Sequence, residues 1–85
     1  MAYKLITKPK AETDLDRLPR DLLLRVDAAL TALADEPRPR GAEKLADAGG
    51  LWRVRVGDYR ILYRIDGAED LVTVARIRHR REAYH

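Results

Sequence analysis

The chain reads as an α+β domain in the order βααβββ, with two helices packed on one face of an antiparallel sheet. Three observations carry that reading. Residues 51–66 alternate apolar and charged side chains on either side of Gly57-Asp58, the pattern of two strands joined by a tight turn. Leu22, Leu23, Val26, Ala29, Leu30 and Leu33 recur at helical spacing. Leu71 to Arg78 is rich in β-branched residues, as a further strand requires.

Taken in order, Tyr3 to Thr7 is a short β-prone run. Pro9 suits the first turn of a helix, and Ala11, Leu15 and Leu18 follow at helical spacing. Glu12, Asp14 and Asp16 sit near its start, where the helix dipole favours them. Pro19 punctuates, and a stronger helix is expected from about Arg20 to Ala34, with Asp21, Arg25 and Asp27 outside its apolar stripe. Residues 36–41 (Glu-Pro-Arg-Pro-Arg-Gly) end that helix in a loop. A helical turn is expected around Glu43-Lys44-Leu45 before Gly49-Gly50. In the hairpin, Trp52, Val54 and Val56 share one face with Tyr59, Ile61 and Tyr63. Arg53 and Arg55 share the other with Arg60, Leu62 and Arg64. The apolar face fixes the register and leaves guanidinium groups displayed opposite it. A turn at residues 66–70 leads to the last strand, and the tail 79–85 is polar.

Eighty-five residues make one domain spanning 1–85. There is no cysteine, hence neither disulfide nor thiolate metal site. No apolar run approaches the roughly 20 residues of a membrane span, and Met1-Ala2-Tyr3-Lys4 lacks a signal-peptide core, so a cytoplasmic protein without membrane contact is expected. The formal charge of +3 is unevenly placed. Residues 1–50 hold nine Lys/Arg and nine Asp/Glu, whereas residues 51–85 hold eight Arg, no Lys and five Asp/Glu. Codon bias towards arginine is the plain explanation, but the first half uses four lysines. Arginine's planar fork grips phosphate with two hydrogen bonds and keeps its charge, so a nucleic-acid partner is indicated.

Several chemistries drop out. His79 and His85, with no cysteine and no helically spaced acid, do not make a metal site, and no Gly-rich phosphate loop is present; no cofactor is expected. The chain has no serine, so a Ser-His-Asp triad cannot form. What remains is a cluster of Arg, Tyr and His.

The segment Lys44-Leu45, then Leu51-Trp52-Arg53-Val54-Arg55-Val56-Gly57-Asp58-Tyr59-Arg60-Ile61-Leu62-Tyr63, then Ile77-Arg78-His79-Arg80-Arg81-Glu82-Ala83-Tyr84, resembles the RelE/ParE toxin superfamily of bacterial toxin–antitoxin modules. The opening strand and two helices fit as well, so the resemblance spans essentially the whole chain. For the RelE branch it implies a metal-independent endoribonuclease that cuts mRNA in the ribosomal decoding site. The RNA 2′-hydroxyl attacks the adjacent phosphate, giving a 2′,3′-cyclic phosphate and a 5′-hydroxyl. Such a site must accept a proton, neutralise a phosphorane and protonate a leaving oxygen.

By motif, the resemblance implies that Arg53 and Arg55 hold the RNA backbone and stabilise charge. It implies that Arg60 and Arg80 meet the scissile phosphate, and that Tyr84 transfers a proton or stacks on a base. Lys44, Arg78 and Arg81 join the expected RNA-binding set. Lysines occupy the first two basic positions in well-known members, and arginine deprotonates far less readily, so Arg53 and Arg55 are poor bases. His79, and less so the terminal His85, are then candidates for proton transfer. Each residue has a plainer reading. Arg53 and Arg55 could form a solvated strand face, Arg60 could pair with Asp58 or Asp66, and Glu82 could pair with an arginine. Tyr84 could simply pack, and alternation assigns Trp52 to the core.

The same resemblance implies a cognate antitoxin whose acidic or amphipathic segment covers the arginines, with DNA met only through that complex. Two alternatives share the fold: a ParE-like inhibitor of DNA gyrase without nuclease activity, and a member that only binds partners.

Overall fold

The computed structural model describes residues 3–46 and 49–81. Seven elements follow one another: β1 (Lys4–Thr7), α1 (Pro9–Asp16), α2 (Arg20–Asp35), β2 (Glu43–Lys44), β3 (Trp52–Val56), β4 (Tyr59–Asp66) and β5 (Leu71–His79). The five strands form one sheet in the order β1-β5-β4-β3-β2.

Both helices begin as their sequences direct. Pro9 opens α1, where its missing N–H would have had no intrahelical partner, and Pro19 immediately precedes α2. Their apolar faces meet one side of the sheet. Ala11, Val26, Leu30 and Leu33 pack with Val56, Ile61, Tyr63, Val72, Val74 and Ile77 into a single core. Tyr63 is fully buried, and its hydroxyl donates to the Pro37 carbonyl at 2.7 Å, pinning the loop after α2. In that loop the Arg38 guanidinium lies 5.4 Å from the centre of the Trp52 ring, so the half-buried Trp52 both packs on the core and carries a cation.

The α+β class and the packing of both helices on one face are as the sequence indicates, and three details differ. First, the sheet is mixed: β1 runs parallel to β5, pairing Lys4 with Leu71 through Thr7 with Val74. Side-chain alternation reports which face a residue occupies but not strand direction. The two helices carry the chain from one side of the sheet to the other, and the meander β3-β4-β5 then returns it beside β1. Second, Glu43-Lys44 form a strand rather than a helical turn. They pair with Arg53 and Trp52, Glu43 accepts an ion pair from Arg53, and the Leu45 N–H donates to Leu51 O at 2.9 Å.

Third, β4 and β5 slip by one residue between Leu62 and Tyr63: Tyr63 pairs with Val74 and Leu62 with Arg76, leaving Ala75 as an extra residue. The slip reverses the alternation of β5. Val72 and Val74 face the core before it, and Ile77 faces the core after it. Arg76 and Arg78 thereby share the face of their partners Leu62 and Arg60.

Candidate nucleic-acid interface

The β3–β4 turn sets the geometry. Val56 pairs with Tyr59 across a two-residue loop, and its Gly57 has a φ of +60°, a conformation glycine adopts freely. From that turn the register places Arg55 opposite Arg60, and Arg60 opposite Arg78. Directly paired residues share a face, so three arginines lie side by side across β3, β4 and β5. The chain leaving β5 is tied to the turn by the Arg80 N–H, which donates to Asp58 O at 2.7 Å. Arg55, Gly57, Asp58, Tyr59, Arg60 and Arg80 accordingly line a cleft of about 150 Å³ at this end of the sheet.

The guanidinium groups are not uniformly displayed, contrary to the sequence expectation. Arg55 is exposed, but Arg60 is only 6% exposed. A buried charge requires partners, and both Arg60 and Arg78 have them. Burial holds Arg60 in place before any ligand arrives, which costs less at binding than ordering a solvated side chain.

Of the other residues expected in the site, Arg53 lies one row away on the same face, opposite Leu62, with its guanidinium on Glu43. Lys44 pairs with Trp52 and so stands on the helix side, away from the arginine row. His79 is also on that side: it pairs with Tyr59, and the two rings meet edge to face at 5.2 Å. Its Nδ1 accepts the Arg81 N–H at 3.2 Å. Arg81 itself is exposed. Tyr84, Glu82 and His85 fall outside the described residues.

A second cleft of about 120 Å³ shares Tyr59 with the first and is lined also by Asp14, Arg17, Leu18, Arg76, Ile77 and Arg78. Asp14 is its structural centre. The carboxylate accepts from Arg76 Nε at 2.8 Å and Nη2 at 3.1 Å, and from the Ile77 N–H at 3.0 Å. Burial works to raise the Asp14 pKa. The Arg76 hydrogen bond, the Ile77 amide and the charges of Arg76 and Arg78 outweigh it and hold the carboxyl below its ordinary value. Asp14 and Arg17 were not in the expected site, because in sequence they read only as charges near a helix. Among the described residues no three of His, Asp and Glu converge as a metal site, and no helix is long and apolar enough to cross a membrane.

The sequence model of the family described as "ParE toxin of type II toxin-antitoxin system, parDE" matches residues 5–84. The chain belongs to the RelE/ParE toxin superfamily. Toxin RelG of Mycobacterium tuberculosis is 35% identical over 85 residues, covering 99% of this chain and 98% of that one. Toxin RelE of the same organism is 31% identical, covering 96% and 86%. The toxin–antitoxin complex RelBE2 of M. tuberculosis contains a chain that superposes with a TM-score of 0.83 at 32% identity, covering 93% of this chain and 99% of that one. A chain of the archaeal RelE–RelB complex of Pyrococcus horikoshii gives 0.84 at 27% identity, covering 98% and 100%. This RelE/ParE member is thus a toxin of the type II toxin–antitoxin class, and the relatives it matches share its fold nearly end to end.

Proposed function

We propose that this toxin is an endoribonuclease that cuts ribosome-bound mRNA without a metal and is neutralised in the cytoplasm by a cognate antitoxin. One observation carries the reading: Arg55, Arg60 and Arg78 occupy a single register row, with Arg80 at the adjoining cleft. Like charges placed directly opposite one another are destabilising. A fold that keeps two such pairs side by side, one member buried, is built to meet an anion. Violations of local rules concentrate at functional sites.

The proposed reaction forms a bond from the RNA 2′-oxygen to the adjacent phosphorus and breaks the P–O5′ bond. The 2′-proton passes to a base, and the leaving 5′-oxygen takes up a proton. Arg55, Arg60 and Arg80 would hold the non-bridging oxygens as charge builds on the phosphorane. Arginine does not deprotonate at working pH, so these side chains stabilise charge rather than remove the proton. Proton transfer is assigned to Tyr84; His79, whose Nδ1 is engaged as an acceptor on the other face of the sheet, takes no part in the proposed step. Arg53 and Arg78 would contact the backbone on the same face as the arginine row, with Arg81, beyond the end of β5, as a further contact. Lys44, on the opposite face, contributes at most through the β2 edge.

The test is primer-extension mapping of mRNA on programmed ribosomes, with antitoxin-free protein. Wild type is expected to cut within the decoding site. Arg60→Met, which keeps the buried stem, should lower single-turnover cleavage about 10²–10³-fold, as loss of a transition-state donor does. Undiminished cutting by a folded Arg60→Met variant would remove the assignment. The ParE description of the matching family supports a second reading, gyrase inhibition without cleavage. Supercoiling blocked at toxin levels that leave mRNA intact would establish it instead.

A further inference from the structure

The outer edge of β5 changes neighbours part-way along. Pairing with β1 ends at Thr7–Val74, and the Lys8 N–H takes the Val74 carbonyl at 3.0 Å. Beyond it, the C-terminal end of α1 lies over β5 in place of a strand, and the Asp14 carboxylate receives the Ile77 N–H that a strand would have taken. Beside that contact is the second cleft, whose lining includes three arginines, Arg17, Arg76 and Arg78, and one carboxylate, Asp14. That carboxylate is already engaged by Arg76 and the Ile77 amide, so the cleft as a whole favours an anion. Its volume of about 120 Å³ is well below the roughly 300–1,000 Å³ of pockets that enclose drug-sized ligands. A phosphate-sized group suits it, with Leu18 and the Tyr59 ring beside it for the attached sugar or base.

We infer that this cleft is a second phosphate subsite, with Arg17 as its outer clamp. It takes a phosphodiester flanking the cut in the same single-stranded RNA. The inference rests on the nuclease reading and extends it. Tyr59 lines both clefts, so a strand with its scissile phosphate at Arg60 and Arg80 presents its next charges along this path. A guanidinium suits the task because it grips phosphate through two parallel hydrogen bonds. Arg17 touches no reacting atom in this arrangement, and its contribution is to binding.

The experiment measures half-saturating toxin concentration and saturating rate for cleavage of mRNA on programmed ribosomes. Wild type is compared with Arg17→Ala and Arg17→Lys. Messages carry a neutral methylphosphonate at one phosphate at a time within two nucleotides of the cut. Arg17→Ala should raise half-saturation roughly fivefold to tenfold, leave the saturating rate within about twofold, and lower the salt slope by about 0.7. Arg17→Lys should recover most of the affinity. At one flanking position the methylphosphonate should weaken wild type but not Arg17→Ala. If no position depends on Arg17 while cleavage still depends on Arg60, the subsite is refuted and the nuclease reading stands. If Arg17→Ala weakens only antitoxin binding, the cleft serves a protein partner and the inference fails. If wild type does not cut mRNA, both readings fail.

Discussion

Replacing Asp14 by alanine should destabilise the protein by about 2–3 kcal/mol, although the residue sits on a short surface helix. The side chain is 11% exposed and that of Arg76 is 33% exposed, so the pair lies between the buried and surface extremes. Removing one partner of a fully buried pair costs about 3–5 kcal/mol, and an exposed pair contributes under about 1. To this the variant adds an Ile77 N–H deprived of its acceptor, worth roughly 1–2 kcal/mol. For a domain of this length each kcal/mol moves Tm by about 4–8 °C, so thermal unfolding followed by circular dichroism should show a drop of about 10–20 °C. Asp14→Asn keeps an acceptor for the amide but not the charge, and should lose about half as much. The pH dependence follows from the lowered Asp14 pKa. The folded state favours the carboxylate, so its contribution is complete above the ordinary value of 3.8 and is lost as pH falls through the lower folded value. Wild type should therefore lose stability below about pH 4 more steeply than Asp14→Asn. An Asp14→Ala protein melting within about 2 °C of wild type would refute the reasoning, since 2–3 kcal/mol cannot hide in so small a shift.

Two further outcomes are expected. Burial pushes the Tyr63 hydroxyl up to about 12, against the lowering influence of Arg38 and with Glu36 adding to the rise. The neutral phenol is thus favoured in the fold, and its stabilisation is complete below pH 10 and lost as pH rises through 12. Tyr63→Phe should lose about 1 kcal/mol at neutral pH, from the bond to Pro37, and show a flatter alkaline unfolding curve. Chemical denaturation at pH 8 and pH 11 checks both. Glu43→Ala should free the Arg53 guanidinium at a cost under about 1 kcal/mol, because Glu43 is exposed. If Arg53 binds RNA, half-saturation in the ribosome assay should fall or hold steady, and a rise would argue that the ion pair is what positions Arg53.

Much of the architecture was legible because side-chain period is a local property. The stripe Val26, Leu30, Leu33 and the alternation of Ile61 and Tyr63 can be read from spacing alone, and each is buried. What escaped depends on contacts distant in sequence. The parallel pairing of Lys4 with Leu71 leaves no trace in periodicity. Nor does the extra residue Ala75, which looks like any small residue in a strand yet decides which way Arg76 and Arg78 face. The convergence of Arg55, Arg60 and Arg80 was expected from motif, and the structure brings them to one cleft. Lys44 was expected to join them, but two-residue pairing with β3 turns it to the other face. Arg17 could not be nominated, because only the docking of α1 on β5 carries it to Arg78.

The place of β5 in the sheet has a consequence for biosynthesis. The ribosome delivers chains amino terminus first, and β5 is the last of the described strands to emerge. It is also the strand that pairs with both β1 and β4, and β1 has no other neighbour in the sheet. A nascent chain lacking β5 and the residues after it has its opening strand unpaired, a core without Val72, Val74 and Ile77, an arginine row without Arg78 and a cleft without Arg80. Partial products of translation therefore carry neither a complete sheet nor a complete cationic cleft. The cleft is assembled only once β5 and Arg80 have been synthesised, so the cationic site is completed together with the sheet and not before it.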